Sequence, residues 1–102
     1  MARVSVTYCT QCNWLLRASW VAQELLQTFG TELDEVALVP GTGGVFRVHV
    51  GDTLVWDRKT EGSGTPDIVE LKRRVRDLAA PGHALGHADR AAARKATAGE
   101  TG

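Results

Sequence analysis

The chain has 102 residues, a formal net charge of +0, 43% hydrophobic residues and 24% charged residues, which is typical of one globular domain. The balanced charge argues against a general binder of nucleic acid or of anionic membranes, because such proteins need an excess of basic residues. No apolar run approaches the roughly 20 residues that span a bilayer, and the first residues contain no signal-peptide core. We therefore expect a cytoplasmic protein that contacts neither nucleic acid nor membrane.

The first third of the chain predicts a strand followed by a helix. Residues 3–8 alternate valine or tyrosine with polar side chains, a period of two that is typical of a strand. Apolar residues at helical spacing then predict a helix over residues 13–29, and this stripe comprises Trp14, Ala18, Val21, Ala22, Leu25 and Phe29. Leu16 and Trp20 widen the apolar surface, so we expect this helix to be well covered, with Trp20 in the core.

The middle of the chain predicts three further strands. Residues 33–39 form the second strand, and its end is apolar on both faces, which indicates a buried position in a partly parallel sheet. Because a helix connects it to the first strand, the two are expected to be parallel with a right-handed crossover. A glycine-rich loop at 40–44 leads to a third strand at 45–50. Residues 51 and 52 fit a type II′ turn, which returns the chain as an antiparallel fourth strand at 53–57.

A second helix is predicted after the polar stretch 58–64. Thr65, Pro66 and Asp67 are typical of a helix start, with a hydroxyl cap, a proline at the first helical position and an acid near the positive end of the dipole. Residues 81 and 82, proline and glycine, end the helix. Its buried stripe comprises Ile68, Leu71, Val75 and Leu78.

The order β-α-β-β-β-α predicts the fold. The economical arrangement is an α/β (α+β) fold with a four-stranded mixed sheet in the order 2-1-3-4 and the helices packed on it. This is the minimal thioredoxin-like arrangement. We assign residues 1–82 to this domain and residues 83–102 to a C-terminal tail, in which residues 88–96 could form a short helix.

The two cysteines, Cys9 and Cys12, carry the chemistry that the sequence suggests. A disulfide across so short a loop would stabilise the fold little, so the pair is expected to serve reactivity or metal binding. Between a strand and a helix N-terminus, backbone N–H groups and the helix dipole favour a thiolate. One thiolate would attack a disulfide and the other would resolve the mixed disulfide. Such a thiol–disulfide redox couple needs no bound cofactor.

Several separated segments resemble the selenoprotein W-like (Rdx) family. They are the run Val-Thr-Tyr-Cys-Thr-Gln-Cys-Asn-Trp at 6–14, residues 41–48, residues 54–59 before the proline-started helix, and residues 85–90. The resemblance covers roughly residues 3–90. It implies a thioredoxin-like fold and a redox role through C-x-x-C. Selenium-containing members place selenocysteine at the position of Cys12, whereas the first cysteine usually attacks in thioredoxins, so the attacking sulfur stays open.

Residues around the cysteines are candidate contacts for a partner. The loop before the third strand lies at the same sheet edge as the cysteines in this topology, and it has glycines where thioredoxins have a proline. The candidate contact residues are Thr10, Gln11, Trp14, Gly43 and Gly44. The expected partner is a protein or a low-molecular-weight thiol or disulfide, and the sequence gives no indication of the oligomeric state.

Two alternatives to a redox catalyst stay open. In the first, the chain is a redox-switched protein-binding module without turnover. In the second, Cys9 and Cys12 form a zinc site with His83 and His87, because C-x2-C and H-x3-H are both known half-sites for zinc. About 70 residues separate these half-sites, far more than the ~12–15 of a zinc finger. We therefore favour the interpretation that His83 and His87 are ordinary surface or tail-packing residues that bind no metal.

Overall fold

The computed structural model describes residues 2–62, 66–83 and 85. These residues form four strands and three helices, with a short 3₁₀ turn at Gly30–Glu32. In chain order the elements are β1 (Arg3–Cys9), α1 (Leu15–Phe29), β2 (Glu35–Gly41), β3 (Phe46–Val50), β4 (Thr53–Asp57), α2 (Arg58–Glu61) and α3 (Ile68–Ala79). Within this part of the chain, no helix is both long and apolar enough to cross a membrane. The predicted tail helix at 88–96 lies outside the described residues.

The four strands form one mixed sheet in the order β2-β1-β3-β4, as the sequence predicts. Strands β1 and β2 are parallel, with Cys9 opposite Gly41 at their ends. Strand β3 is antiparallel to β1 and to β4, with a bulge after Val48. The ends of β1, β2 and β4 therefore meet the start of β3 at one edge of the sheet. This edge positions the site described below.

One face of the sheet carries the hydrophobic core, because alternate strand residues are buried. Val4 and Val6 of β1 are almost fully buried, as are Phe46 and Val48 of β3. Helices α1 and α3 cover this face and contact each other. They contribute the buried side chains Ala18, Val21, Leu25, Phe29, Leu71 and Val75. The Phe46 ring lies edge-on to Trp14 and Trp56, with centroid distances of 6.2 and 6.0 Å.

The prediction of a buried second strand is wrong. Strand β2 begins at Glu35, two residues later than predicted, and forms an edge of the sheet. Leu38 is 37% exposed and Val39 is 39% exposed. An apolar run on both faces can occupy either a central or an edge position, because the sequence of one strand does not specify its neighbours.

The prediction that α1 is well covered, with Trp20 in the core, is also wrong. Leu16 is 81% exposed and Trp20 is 47% exposed. Each lies two positions, about 200° of rotation, from the buried Ala18, so both are on the opposite side of the helix from the core. The helix begins at Leu15 rather than at residue 13.

The region between β4 and the last helix also differs from prediction. The polar stretch contains α2, a four-residue helix whose cap Asp57 accepts a 3.1 Å hydrogen bond from the Lys59 N–H. Asp67 is the cap of α3, so Pro66 precedes the cap instead of occupying the first helical position. The predicted hydroxyl cap, Thr65, lies outside the described residues. Leu78 is half exposed, although the helical stripe predicted that it would be buried.

Candidate functional site

The two cysteines lie side by side at the end of the central strand β1. Cys9 is the last residue of this strand and is fully buried, whereas Cys12 follows in a turn and is partly exposed. Both thiols are free, and the Cys12 S–H donates to the Cys9 Sγ at 2.7 Å. The two sulfurs are thus in hydrogen-bond contact, at a separation longer than the ~2.05 Å of a covalent disulfide.

A tight turn brings the second sulfur back over the first. The Asn13 N–H donates to the Thr10 carbonyl at 3.2 Å, and the Trp14 N–H donates to the Cys9 carbonyl at 3.3 Å. Asn13 has a φ of 59°, a left-handed conformation that asparagine tolerates better than most residues. The turn precedes α1, whose first residue is Leu15.

The same turn is anchored to the end of β2. Both the backbone N–H and the side-chain hydroxyl of Thr10 donate to the Gly41 carbonyl at 3.0 Å. Gly41 has no space for a side chain, because a Cβ there would lie 2.8 Å from Cγ1 of Val45 and 3.3 Å from Cγ2 of Thr7. Because Gly41 has no side chain, the glycine-rich loop can lie against the turn that carries the cysteines.

Hydrogen bonds to Cys9 concentrate negative charge on the buried sulfur. The Cys12 S–H lowers the pKa of Cys9 most, and the backbone N–H groups of Gly44, Cys12 and Gln11 lower it further, while burial acts in the opposite direction. The Gly44 N–H lies 3.2 Å from the Cys9 Sγ. The pKa of Cys12 is raised, first because its S–H donates to Cys9 and then because of burial and the charge of Cys9. These N–H donors lie in the loops around the site and not in the first turn of α1, where the sequence suggested them.

The glycine-rich loop adopts a conformation that requires glycine. Gly43 and Gly44 have φ values of 74° and 75°, which most residues with a side chain rarely adopt. This geometry turns the Gly44 N–H toward the sulfur of Cys9. The sequence places both glycines at the cysteine edge, and the structure confirms that location, but the sequence does not predict that Gly44 is a hydrogen-bond donor to Cys9.

Arg58 is a neighbour of the site that the sequence interpretation missed. It begins α2, and its guanidinium carbon lies 5.1 Å from the centre of the half-buried Trp14 ring. Its Nη1 donates a long hydrogen bond of 3.5 Å to the Gly44 carbonyl. Arg17 also lies over Trp14, at 5.8 Å. The predicted topology could have indicated Arg58, because β4 runs in the same direction as β1 and the two strands end at the same edge of the sheet.

The surface around the sulfurs contains the other predicted contact residues. Thr10, Gln11 and Gly43 are exposed beside the turn, while Trp14 and Gly44 are half-buried. A cavity of about 380 Å³ opens next to them and is lined by Tyr8, Thr10, Asn13, Leu15 and Leu16. Contact of these residues with a partner stays a prediction.

The histidine half of the possible zinc site lies far from the cysteines. His83 Nδ1 is 3.0 Å from a carboxylate oxygen of Glu32, and its ring packs on Phe29. Phe29 is the last residue of α1, whereas the cysteines precede the first, and 15 helical residues span about 22 Å. His83 is therefore not brought to the cysteines, and His87 lies outside the described residues. Among described residues, no three His, Cys, Asp or Glu side chains are grouped to hold a metal.

Comparison with known proteins adds independent information. The model of the Rdx family matches residues 3–77. A crystal structure of a Bordetella parapertussis protein is 60% identical, with a TM-score of 0.72 over 74% of this chain and 95% of that one. The crystal structure of a selenoprotein W-related protein from Vibrio cholerae is 51% identical, with a TM-score of 0.72 over 76% of this chain and 95% of that one. No curated protein matches.

Proposed function

This chain belongs to the Rdx family, and on that premise we propose that it is a thiol–disulfide redox protein with Cys9 and Cys12 as its redox couple. The observation that carries the proposal is the 2.7 Å contact between the two sulfurs. A hydrogen-bonded dithiol can lose two electrons and two protons and form an internal disulfide with little movement of the backbone. The N–H donors around Cys9 support a thiolate there.

The proposed reaction has two exchange steps. In the first, a thiolate of the pair attacks one sulfur of the partner disulfide, forms a mixed disulfide and releases the other partner sulfur as a thiolate. In the second, the remaining cysteine, as a thiolate, attacks the mixed disulfide and releases the second partner thiolate. The two partner thiolates take up the two protons that the cysteines lost. The partner disulfide is reduced by two electrons, and Cys9 and Cys12 become oxidised to a disulfide.

We propose that Cys12 enters the mixed disulfide and that Cys9 resolves it. Cys9 is fully buried and is reached by the Cys12 sulfur, whereas Cys12 is partly exposed. A proton that moves from Cys12 to the Cys9 thiolate would make the accessible sulfur nucleophilic. After the first step, Cys9 loses this proton, and the Gly44 N–H supports the resolving thiolate.

Single-cysteine variants test both parts of the proposal. The reduced Cys9→Ser and Cys12→Ser proteins are mixed with a small aromatic disulfide, and mixed disulfides are measured by mass spectrometry. Cys9→Ser should accumulate a stable mixed disulfide on Cys12, and Cys12→Ser should form one much more slowly. The wild type should release both partner thiols and show an internal disulfide. Absence of the internal disulfide in the wild type would contradict the redox couple.

A redox-switched binding module without turnover is the second candidate. Leu15 and Leu16 are exposed at the start of α1 and line the cavity beside the cysteine turn, and Trp20 is exposed further along the same helix. These large apolar side chains favour contact with a protein. The two functions differ in one result. A binding module should still bind its partner when both cysteines are serine, whereas a redox catalyst should lose all turnover with a disulfide substrate.

We propose that the partner is a protein or a low-molecular-weight thiol or disulfide and that the chain works in the cytoplasm. The composition supports this location, because the chain has only one C-x-x-C pair and no framework of structural disulfides such as secreted small domains use. Fractionation of cells, followed by measurement of the redox state of both cysteines after acid quenching, tests it. A protein recovered mainly oxidised, outside the cytoplasmic fraction, would contradict the proposal.

A further inference from the structure

Arg58 is a charged residue beside the dithiol that belongs to a separate element, α2. Three contacts fix its position. The Asp57 cap holds the start of α2, the Trp14 ring lies 5.1 Å from the guanidinium carbon, and the Gly44 carbonyl accepts from Nη1. Arg58 thus touches both neighbours of the sulfurs, the loop that donates to Cys9 and the ring that follows Cys12.

The charge of Arg58 is not neutralised by an acidic side chain within the part of the chain that the structure describes. Arg47 pairs with Asp57 at 3.7 Å and Arg74 pairs with Glu61 at 3.0 Å, whereas no described carboxylate lies within ion-pair distance of Arg58. A cation that is partly buried against an aromatic ring and free of a counter-charge acts on the nearest anion with less screening. Here the contacts of Arg58 with the Gly44 carbonyl and the Trp14 ring place this cation beside the dithiol.

We propose, building on the proposed function, that Arg58 is a positioning residue of the dithiol, which holds Gly44 beside Cys9 and places a positive charge next to Cys12. Arg58 would thereby favour the thiolate of the accessible sulfur at the moment when Cys12 attacks. Its electrostatic attraction lowers the pKa of Cys12, against the dominant upward influence of Cys9.

The other groups around Cys12 leave this role to Arg58. Strand β1 contributes the buried Tyr8, and the loop at 42–45 has no charged or titratable side chain. Helix α1 contributes Arg17, whose guanidinium carbon is 5.8 Å from the centre of the Trp14 ring. The hydrogen bond to the Gly44 carbonyl comes from Arg58 and not from Arg17. Arg17 is therefore a matched control, with the same charge and the same aromatic neighbour.

The test is the pH dependence of Cys12 alkylation in the Cys9→Ser protein, which isolates this sulfur and requires no partner. Neutral iodoacetamide is the reagent, because a charged reagent would itself be attracted to arginine. Arg58→Gln should move the profile to higher pH and slow alkylation at pH 7 about two- to fivefold, as expected for removing one charge several Å away near a surface. Arg17→Gln should leave the profile unchanged, and Arg58→Lys should restore most of the rate.

Two results would overturn the proposal. One is an Arg58→Gln profile that coincides with that of its parent. The other is an equal shift in Arg17→Gln, which would assign the effect to general surface charge. Circular dichroism of each variant distinguishes loss of structure from loss of charge. Because alkylation involves no disulfide substrate, the role of Arg58 can fail while the redox couple stands, and the converse also holds.

Discussion

Replacing Phe46 with leucine tests whether the aromatic contacts below the site stabilise the fold. Phe46 is fully buried and lies edge-on to Trp14 at 6.2 Å and to Trp56 at 6.0 Å. Each such pair contributes about 0.5–1.5 kcal/mol beyond the burial of its surface. Leucine keeps most of the apolar volume but forms neither pair. We therefore expect Phe46→Leu to lower the free energy of unfolding by about 1–3 kcal/mol.

Urea unfolding followed by tryptophan fluorescence measures this loss. With a slope of about 1–3 kcal/mol per molar urea for a small protein, the midpoint should fall by roughly 1 M at unchanged slope. The same substitution in a Trp56→Leu background is the control, since only the Trp14 pair is then lost, and the cost should be roughly half. A loss below about 0.5 kcal/mol, equal in both backgrounds, would refute the reasoning.

Three further predictions concern the dithiol, the loop that holds it and the last helix. Cys12→Ala should raise the pKa of Cys9, because Cys9 loses its main hydrogen-bond donor, and Cys9→Ala should lower the pKa of Cys12. The ultraviolet absorbance of the thiolate as a function of pH measures both shifts, and unchanged titrations would contradict the hydrogen bond. Gly41→Ala should cost about 1–3 kcal/mol through a 2.8 Å contact with Val45, and Val45→Ala should relieve part of this cost in a double-mutant cycle, whereas strictly additive losses would exclude the contact. Asp67→Ala should cost about 1 kcal/mol in thermal unfolding because it removes the cap of α3, with Asp67→Asn retaining most of the stability.

The sheet could be predicted from the sequence because its information is local. Alternation with a period of two indicates each strand, and a helix between the first two requires a parallel crossover. The turn residue Gly51, with a φ of 57°, then reverses the chain as the hairpin pattern predicts. The order 2-1-3-4 is the thioredoxin-like arrangement of these features, and the observed order agrees.

What covers an apolar surface could not be predicted from the sequence. Trp20 and Leu16 are as hydrophobic as the core residues of α1. They lie about 200° away from the buried Ala18 around the helix axis, however, and are exposed. Likewise, the apolar end of β2 suggested a buried strand, although the predicted order 2-1-3-4 already gave β2 a single neighbour, as observed. Hydrophobicity reports the tendency to be buried, whereas burial also depends on which elements pack there.

The difference between the two sulfurs shows how tertiary structure completes a local motif. The C-x-x-C spacing treats Cys9 and Cys12 alike, and it predicts only that their sulfurs can meet. Cys9 ends the inner strand β1 opposite Gly41 of β2 and is fully buried, whereas Cys12 belongs to a turn. Gly44, 35 residues further along the chain, donates to the buried Cys9 Sγ at 3.2 Å. The predicted order 2-1-3-4 makes the first strand an inner strand, but β3 begins opposite Tyr8, so the surroundings of Cys9 and its hydrogen bond from Gly44 depend on the path of the loop before β3.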